Sequence, residues 1–101
     1  MGAGHLSGTL LDGANLSVAK LAGACLSRAD LTNAVLVGAG LTEANMRDAI
    51  LKNANLERAN LTDIRHLLLR QISTVKSIEN ASLSEDLVTI LEDNHPHLLG
   101  K

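Results

Sequence analysis
The sequence predicts an all-β solenoid, wound in square coils and about three coils long, with an α-helical cap at its C-terminal end. Three observations predict it. Every fifth residue from Leu6 to Leu61 is a large aliphatic, eleven leucines and one methionine, Met46. The residue two before each of these centres is small: Gly4, Thr9, then alanine at every repeat from Ala14 to Ala59. The hydrophobic fraction is 46%, yet the chain has no Phe, Tyr or Trp. A core without rings must be assembled from many similar small pieces.

A period of five suits neither regular element. On an α-helix, residues five apart sit about 140° from one another and form no stripe. A plain strand repeats every second residue. Here the spacing alternates two and three: Ala14, Leu16, Ala19, Leu21, Ala24, Leu26. The step of two keeps both side chains on one face of an extended segment, and the step of three needs a corner. Each pentapeptide is therefore one side and one turn. Four sides close a coil of about 20 residues, and coils stack at the strand spacing of about 4.8 Å.

Stacking follows from that register. Leu6, Leu26 and Met46 share one wall. Leu11, Leu31 and Leu51 share the next, then Leu16, Leu36 and Leu56, then Leu21, Leu41 and Leu61. Leu11, Leu16, Leu31, Leu36, Met46, Leu51 and Leu56 are expected as core centres. Gly8, Gly13, Gly23 and Gly38 fall two residues after a centre, where a corner calls for positive φ.

The pattern A-[N/D]-L-x-x over residues 4–63 resembles the pentapeptide-repeat family. The resemblance implies a right-handed quadrilateral β-helix and a non-enzymatic scaffold or protein–protein interaction module. Some members of that family mimic duplex DNA and inhibit DNA gyrase. The present chain departs from them in its balanced charge, its lack of Phe at the centres and its small number of coils.

At His66 the centre is no longer aliphatic, and Ile64 replaces the alanine, so the coil is expected to stop there. The expected division is a repeat segment over 1–64 and a helical capping segment over 65–101. Leu67, Leu68, Ile72, Val75 and Ile78 fall at mixed helical spacing. Ala81-Ser82-Leu83 reads as one stray repeat, out of phase with the first twelve. Leu83, Leu87, Ile90 and Leu91 follow the spacing of an amphipathic helix. Ser84 stands at its N-cap, Glu85 and Asp86 in its first turn, and Pro96 at its end. Gln71-Ile72, Val75-Lys76, Ala81-x-Leu83 and Pro96-His97-Leu98 resemble an extension found after bacterial pentapeptide repeats. Laid across the end of a solenoid, such a helix covers unpaired backbone and open core. No comparable cover is expected at the N-terminal end, where only Met1, Gly2 and Ala3 precede the first repeat. A second copy, a partner or a neighbouring domain is expected there.

The chemistry-bearing residues do not assemble into a catalytic set. His95-Pro96-His97 lacks the spacing and the further ligand of a metal site. Cys25 points outward, with His5 one coil away on the same wall, but no oxyanion hole or pocket accompanies them. Neither a cofactor nor a metal is expected, and the chain is read as a non-enzyme. Net charge is −2 with both signs spread along the sequence, which argues against a nucleic-acid surface and a polybasic membrane patch. The single cysteine suits a reducing compartment, and the expected location is the cytoplasm.

One surface feature stands out. Leu10 and Ile50 occupy outward positions on one wall, with Asp30 between them. Val35 and Val37 lie outward on the adjacent wall, where the repeat prefers polar residues. These four form a candidate contact strip. The expected partner is a protein, a second copy of the chain being one candidate. A regulatory appendage of a larger signalling or membrane protein is a further reading, motivated by the open N-terminal edge.

Overall fold
The computed structural model describes residues 5–100. Its repeat region is a solenoid β-helix. Positions 5, 10, 15 and 20 each pair in parallel with the residue twenty further on: His5 with Cys25, Leu10 with Asp30, Asn15 with Val35, Lys20 with Gly40. The same step then joins Cys25 to Asn45, Asp30 to Ile50, Val35 to Asn55 and Gly40 to Asn60. We number the four walls 1 to 4 in that order. Gly4, expected to open the repeat, lies outside the described residues.

The backbone accounts for why five residues make one side and one corner. In eleven of the twelve repeats the centre donates its N–H to the next coil, as Leu26 does to Asn45 O (2.8 Å) and Leu31 to Ile50 O (2.8 Å). The residue before the centre donates back to the alanine carbonyl one coil below, as Asn45 does to Ala24 O (2.9 Å). The residue three after the centre closes the turn onto the centre's own carbonyl, as Ala29 does to Leu26 O (3.0 Å). At the Asn and Asp positions one more donor is served. Asn15, Asp30, Asn45, Asn55 and Asn60 each accept the N–H two residues on through Oδ1, at 3.1 Å. This explains the acidic or amide residue of the repeat: it supplies the acceptor that the ladder does not.

The corners hold positive φ two residues after each centre, as a type II turn requires. Gly8, Gly13, Gly23 and Gly38 lie at 68°, 72°, 73° and 71°. At the other eight corners Val18, Arg28, Asn33, Glu43, Asp48, Asn53, Arg58 and Asp63 adopt the same conformation. The inward faces are fully packed through the middle of the coil. Leu26, Leu31, Leu36, Leu41, Met46, Leu51, Leu56 and Leu61 are buried, with the alanine columns between them. Leu6, Leu11 and Leu16 are only half-buried.

The ladder does not stop at residue 63. Arg65 pairs with Asn45 on wall 1, Ser77 with Asn55 on wall 3 and Ser82 with Asn60 on wall 4. On walls 3 and 4 the step is twenty-two residues instead of twenty, so two residues have been inserted after wall 1. Ile78, expected in a helix, is a buried repeat centre with its own closing turn, Ala81 N–H to Ile78 O at 2.9 Å. Asn80 holds the corner at φ 63°. Wall 2 is the exception, because a short helix, α1 (Leu69–Ile72), stands where the next strand would be.

The amphipathic helix is α2 (Glu85–Asn94), followed by a 3-10 turn at Pro96–Leu99. Ser84 occupies the N-cap position but makes no side-chain cap bond. Leu91 and Leu98 join the same hydrophobic cluster as Ile72, Val75 and Ile78. Leu83 precedes α2 and belongs to the last repeat, and Ile90 faces outward, so the buried stripe is narrower than the spacing suggested. The only hydrogen bond that ties the 3-10 turn to the coil runs from Ile78 N–H to Leu98 O, at 3.0 Å, among the described residues.

Candidate interaction surface
Wall 2 carries the feature that the sequence singled out. Leu10, Asp30 and Ile50 stack in one outward column. Leu10 is 79% exposed and Ile50 49% exposed. Asp30 between them is turned to its own backbone: Thr32 donates its hydroxyl (2.6 Å) and its N–H (3.1 Å) to the carboxylate. Those two bonds, the hydroxyl first, hold the Asp30 carboxyl below its ordinary range. Val35 and Val37 on the neighbouring wall are half-buried, and therefore less available than their outward positions implied. Val18, which sequence reasoning did not single out, is 74% exposed at the corner below Gly38. Its signal was its place at a positive-φ corner, where a β-branched residue is least at home.

Coiling also gathers charges that look dispersed along the chain. Arg28 and Asp48 occupy successive corners between walls 1 and 2, and Arg47 precedes Asp48. Arg70, from α1, approaches Asp48 at 3.7 Å, and Arg47 approaches it at 3.9 Å. Ser27, Arg28, Asn45, Arg47 and Asp48 line one depression, while Arg47, Asp48, His66, Leu68 and Arg70 line the next. Two arginines thus pair with one carboxylate in solvent-exposed geometry, where each pair is worth little by itself, and Arg28 shares the first depression with them. The local balance is cationic although the chain as a whole is not.

Above Ile50, where α1 displaces the wall-2 strand, an open groove of about 630 Å³ runs between Asp48, Ala49, Ile50, Leu51 and Lys52 on the coil and Arg70, Gln71 and Thr74 on the insertion. Gln71 is the buried polar residue that builds it. Its Nε2 donates to Met46 O at 2.8 Å and Ala49 O at 3.0 Å, and its Oε1 accepts the Leu68 N–H at 2.8 Å. In the coils below, the alanine carbonyl of wall 2 takes a backbone N–H, as Ala29 O does from Ile50 (2.9 Å). The Gln71 amide replaces that missing donor. Sequence reasoning noticed Gln71 only as part of a resemblance, and the physical signal was a lone amide among aliphatics.

Elsewhere the candidate chemistry disperses. Cys25 Sγ meets Ser7 Oγ at 2.9 Å and Ser27 Oγ at 3.6 Å rather than His5. The Ser7 hydroxyl, then the Ser27 backbone and hydroxyl, lower the thiol below its usual value. The His95 and His97 rings lie edge to face, 5.9 Å apart. Among the described residues, no group of three His, Cys, Asp or Glu is placed to hold a metal ion. No helix among them is long and apolar enough to cross a membrane.

Comparison with known proteins decides the family. The sequence model of pentapeptide repeats matches over residues 5–36 and 24–63, in eight copies, which is more than half of the chain. The chain belongs to the pentapeptide-repeat family. A pentapeptide-repeat protein of the Arabidopsis thaliana thylakoid lumen shares 23% identity and superposes with a TM-score of 0.69, over 82% of this chain and 56% of its own. Two trypsin-treated forms of QnrB1, a plasmid-mediated fluoroquinolone resistance protein, share 19% identity with TM-scores of 0.73 and 0.70. Each covers 88% of this chain and 42% of its own. This pentapeptide-repeat chain therefore spans about half the length of those solved relatives, and the likeness is one of fold. Among curated proteins, no sequence matches.

Proposed function
We propose that this chain is a non-enzymatic protein–protein interaction module, with wall 2 as its contact surface. The observation that carries the reading is the outward pair Leu10 and Ile50, 79% and 49% exposed on a rigid wall. Large exposed aliphatics on a fixed scaffold favour a binding face over a solvated one, and Val35 and Val37 extend the apolar surface onto wall 3. In this reading residues 1–64 form the binding body, a right-handed coil. The segment 65–101 caps it, completing three of the four walls of one more turn before α2 closes over Leu91 and Leu98. The lone thiol of Cys25 supports a reducing, cytoplasmic setting.

The test is to replace Ile50 and Leu10 by aspartate, singly and together. Both side chains point outward, so urea midpoints should stay near wild type. Self-association, read as absolute mass by light scattering over a range of concentrations, or capture of a partner should fall sharply. Association that is unchanged in the double variant would contradict the assignment of wall 2.

The gyrase-directed reading draws less support. A duplex mimic presents acid along its length, whereas Arg28, Arg47 and Arg70 gather around Asp48 here. A supercoiling assay with purified gyrase should show no inhibition.

A further inference from the structure
Twelve repeat centres run from Leu6 to Leu61. Eleven donate their N–H to the carbonyl of the next coil at 2.7–2.9 Å, including Met46 to Arg65, Leu56 to Ser77 and Leu61 to Ser82. Leu51 is the exception: among the described residues its N–H meets no carbonyl. It is the centre of wall 2 directly beneath α1. In the lower coils Leu11 and Leu31 find Asp30 O and Ile50 O in the place that Leu51 leaves open. That place is the groove of about 630 Å³ beside Ile50. Because α1 takes the place of the next strand, this wall donor faces the groove without an acceptor, and such donors are nearly always paired.

We propose that an extended acidic segment of a partner protein fills this position, adding one short strand to wall 2. The proposal rests on the interaction-module reading and names the partner's chemistry. One backbone carbonyl of the segment accepts from Leu51 N–H, at the site that Asp30 O and Ile50 O define lower in the wall. An aliphatic side chain of the segment lies along Ile50, continuing the outward column of Leu10, Asp30 and Ile50. Charge sets the rest. Arg47 and Arg70 stand at the entry corner and Lys52 at the exit corner, with Asp48 as the single acid between them. Acidic residues flanking the aliphatic one meet a cation at each end. The gap is one side of the square, so about three residues of extended chain span it. Strand addition of this kind takes its affinity from backbone bonds and its selectivity from side chains, and the cations favour an acidic partner over a basic one.

The test uses the full chain, labelled with nitrogen-15, and two blocked peptides. One is acetyl-Glu-Asp-Leu-Asp-Glu-amide, and the other is its charge reversal, acetyl-Lys-Lys-Leu-Lys-Lys-amide. The acidic peptide should shift the amide signals of Leu51, Ile50, Lys52 and Arg70 and bind about tenfold or more tightly than the reversed one. Arg70→Glu should weaken that binding about tenfold, and Ile50→Asp should abolish it, both with the coil still folded by circular dichroism. An unmoved Leu51 amide at millimolar peptide, or equal binding of both peptides, overturns the proposal. The two readings fail differently. If protein association depends on Ile50 and Leu10 but is indifferent to Arg70→Glu and the acidic peptide, the groove is not the site and the module reading stands. If association ignores Ile50 and Leu10 altogether, the module reading itself falls.

Discussion
Val18 is the residue whose chemistry least suits its place. It holds φ 54° at a corner, with a branched side chain that is 74% exposed. Left-handed backbone costs an L-residue roughly 1–2 kcal/mol, and a β-branched residue is the poorest fit. Its Cγ1 sits where a Cβ added at Gly38 would lie 3.1 Å away, so the glycine at the next corner accommodates it. Val18→Asn should therefore stabilise the protein by about 1 kcal/mol, seen as a higher urea midpoint at unchanged slope. Asp30 gives a pH signature of known sign. Its carboxyl is lowered by the Thr32 hydroxyl and N–H. The stabilisation is present above the ordinary carboxylate pKa and is lost as pH falls through the lower folded value. Asp30→Asn keeps an oxygen for the Thr32 N–H but has no proton to gain. Its acid-induced loss of stability should be smaller than that of the wild type, as measured by urea midpoints across the acid range.

At the scale of the element, α1 and its Gln71 decide how the coil passes its missing side. The Gln71 side chain serves the carbonyls of Met46 and Ala49 from a buried position. Met46 O also takes the Ala49 N–H (3.1 Å), so Gln71→Leu leaves only Ala49 O without a donor and should cost about 1–3 kcal/mol. Gln71→Glu should be more damaging at neutral pH, where a carboxylate faces two carbonyls, and should recover partly as acid protonates it. An unfolding series across pH that shows no recovery would contradict this role. The same element marks where sequence reading reached its limit. The twelve centres were legible because their spacing excludes helix and strand alike. The continuation was not, because two inserted residues break the phase between Arg65 and Ser77. Ala81-Ser82-Leu83 stands out as a stray repeat, but its neighbour Ile78 falls at helical spacing with Val75 and Ile72. Read together, Ile78 and Leu83 five apart, with Asn80 at a corner, spell the repeat again. In α2 the spacing located the helix, but it could not show that Ile90 faces away while Leu91 is buried.

At the scale of the whole molecule, coiling turns dispersed sequence features into surfaces. Leu10 and Ile50 are forty residues apart and become one column. Arg28, Arg47 and Arg70 become one cationic corner around Asp48. The outward aliphatics were legible in advance, because the repeat assigns every position a direction. The groove and the open Leu51 donor were not, because they arise from the strand that α1 replaces. Backbone amide exchange, followed residue by residue by NMR on the full chain, tests this account most directly. Met46, Leu56 and Leu61 should exchange as slowly as Leu31, because the ladder continues above them. Leu51 should be the fast exception, slowed when the acidic peptide binds. A Leu51 amide as protected as that of Leu31 without any ligand would contradict the open wall. Rapid exchange at Met46, Leu56 and Leu61 together would contradict the continued coil.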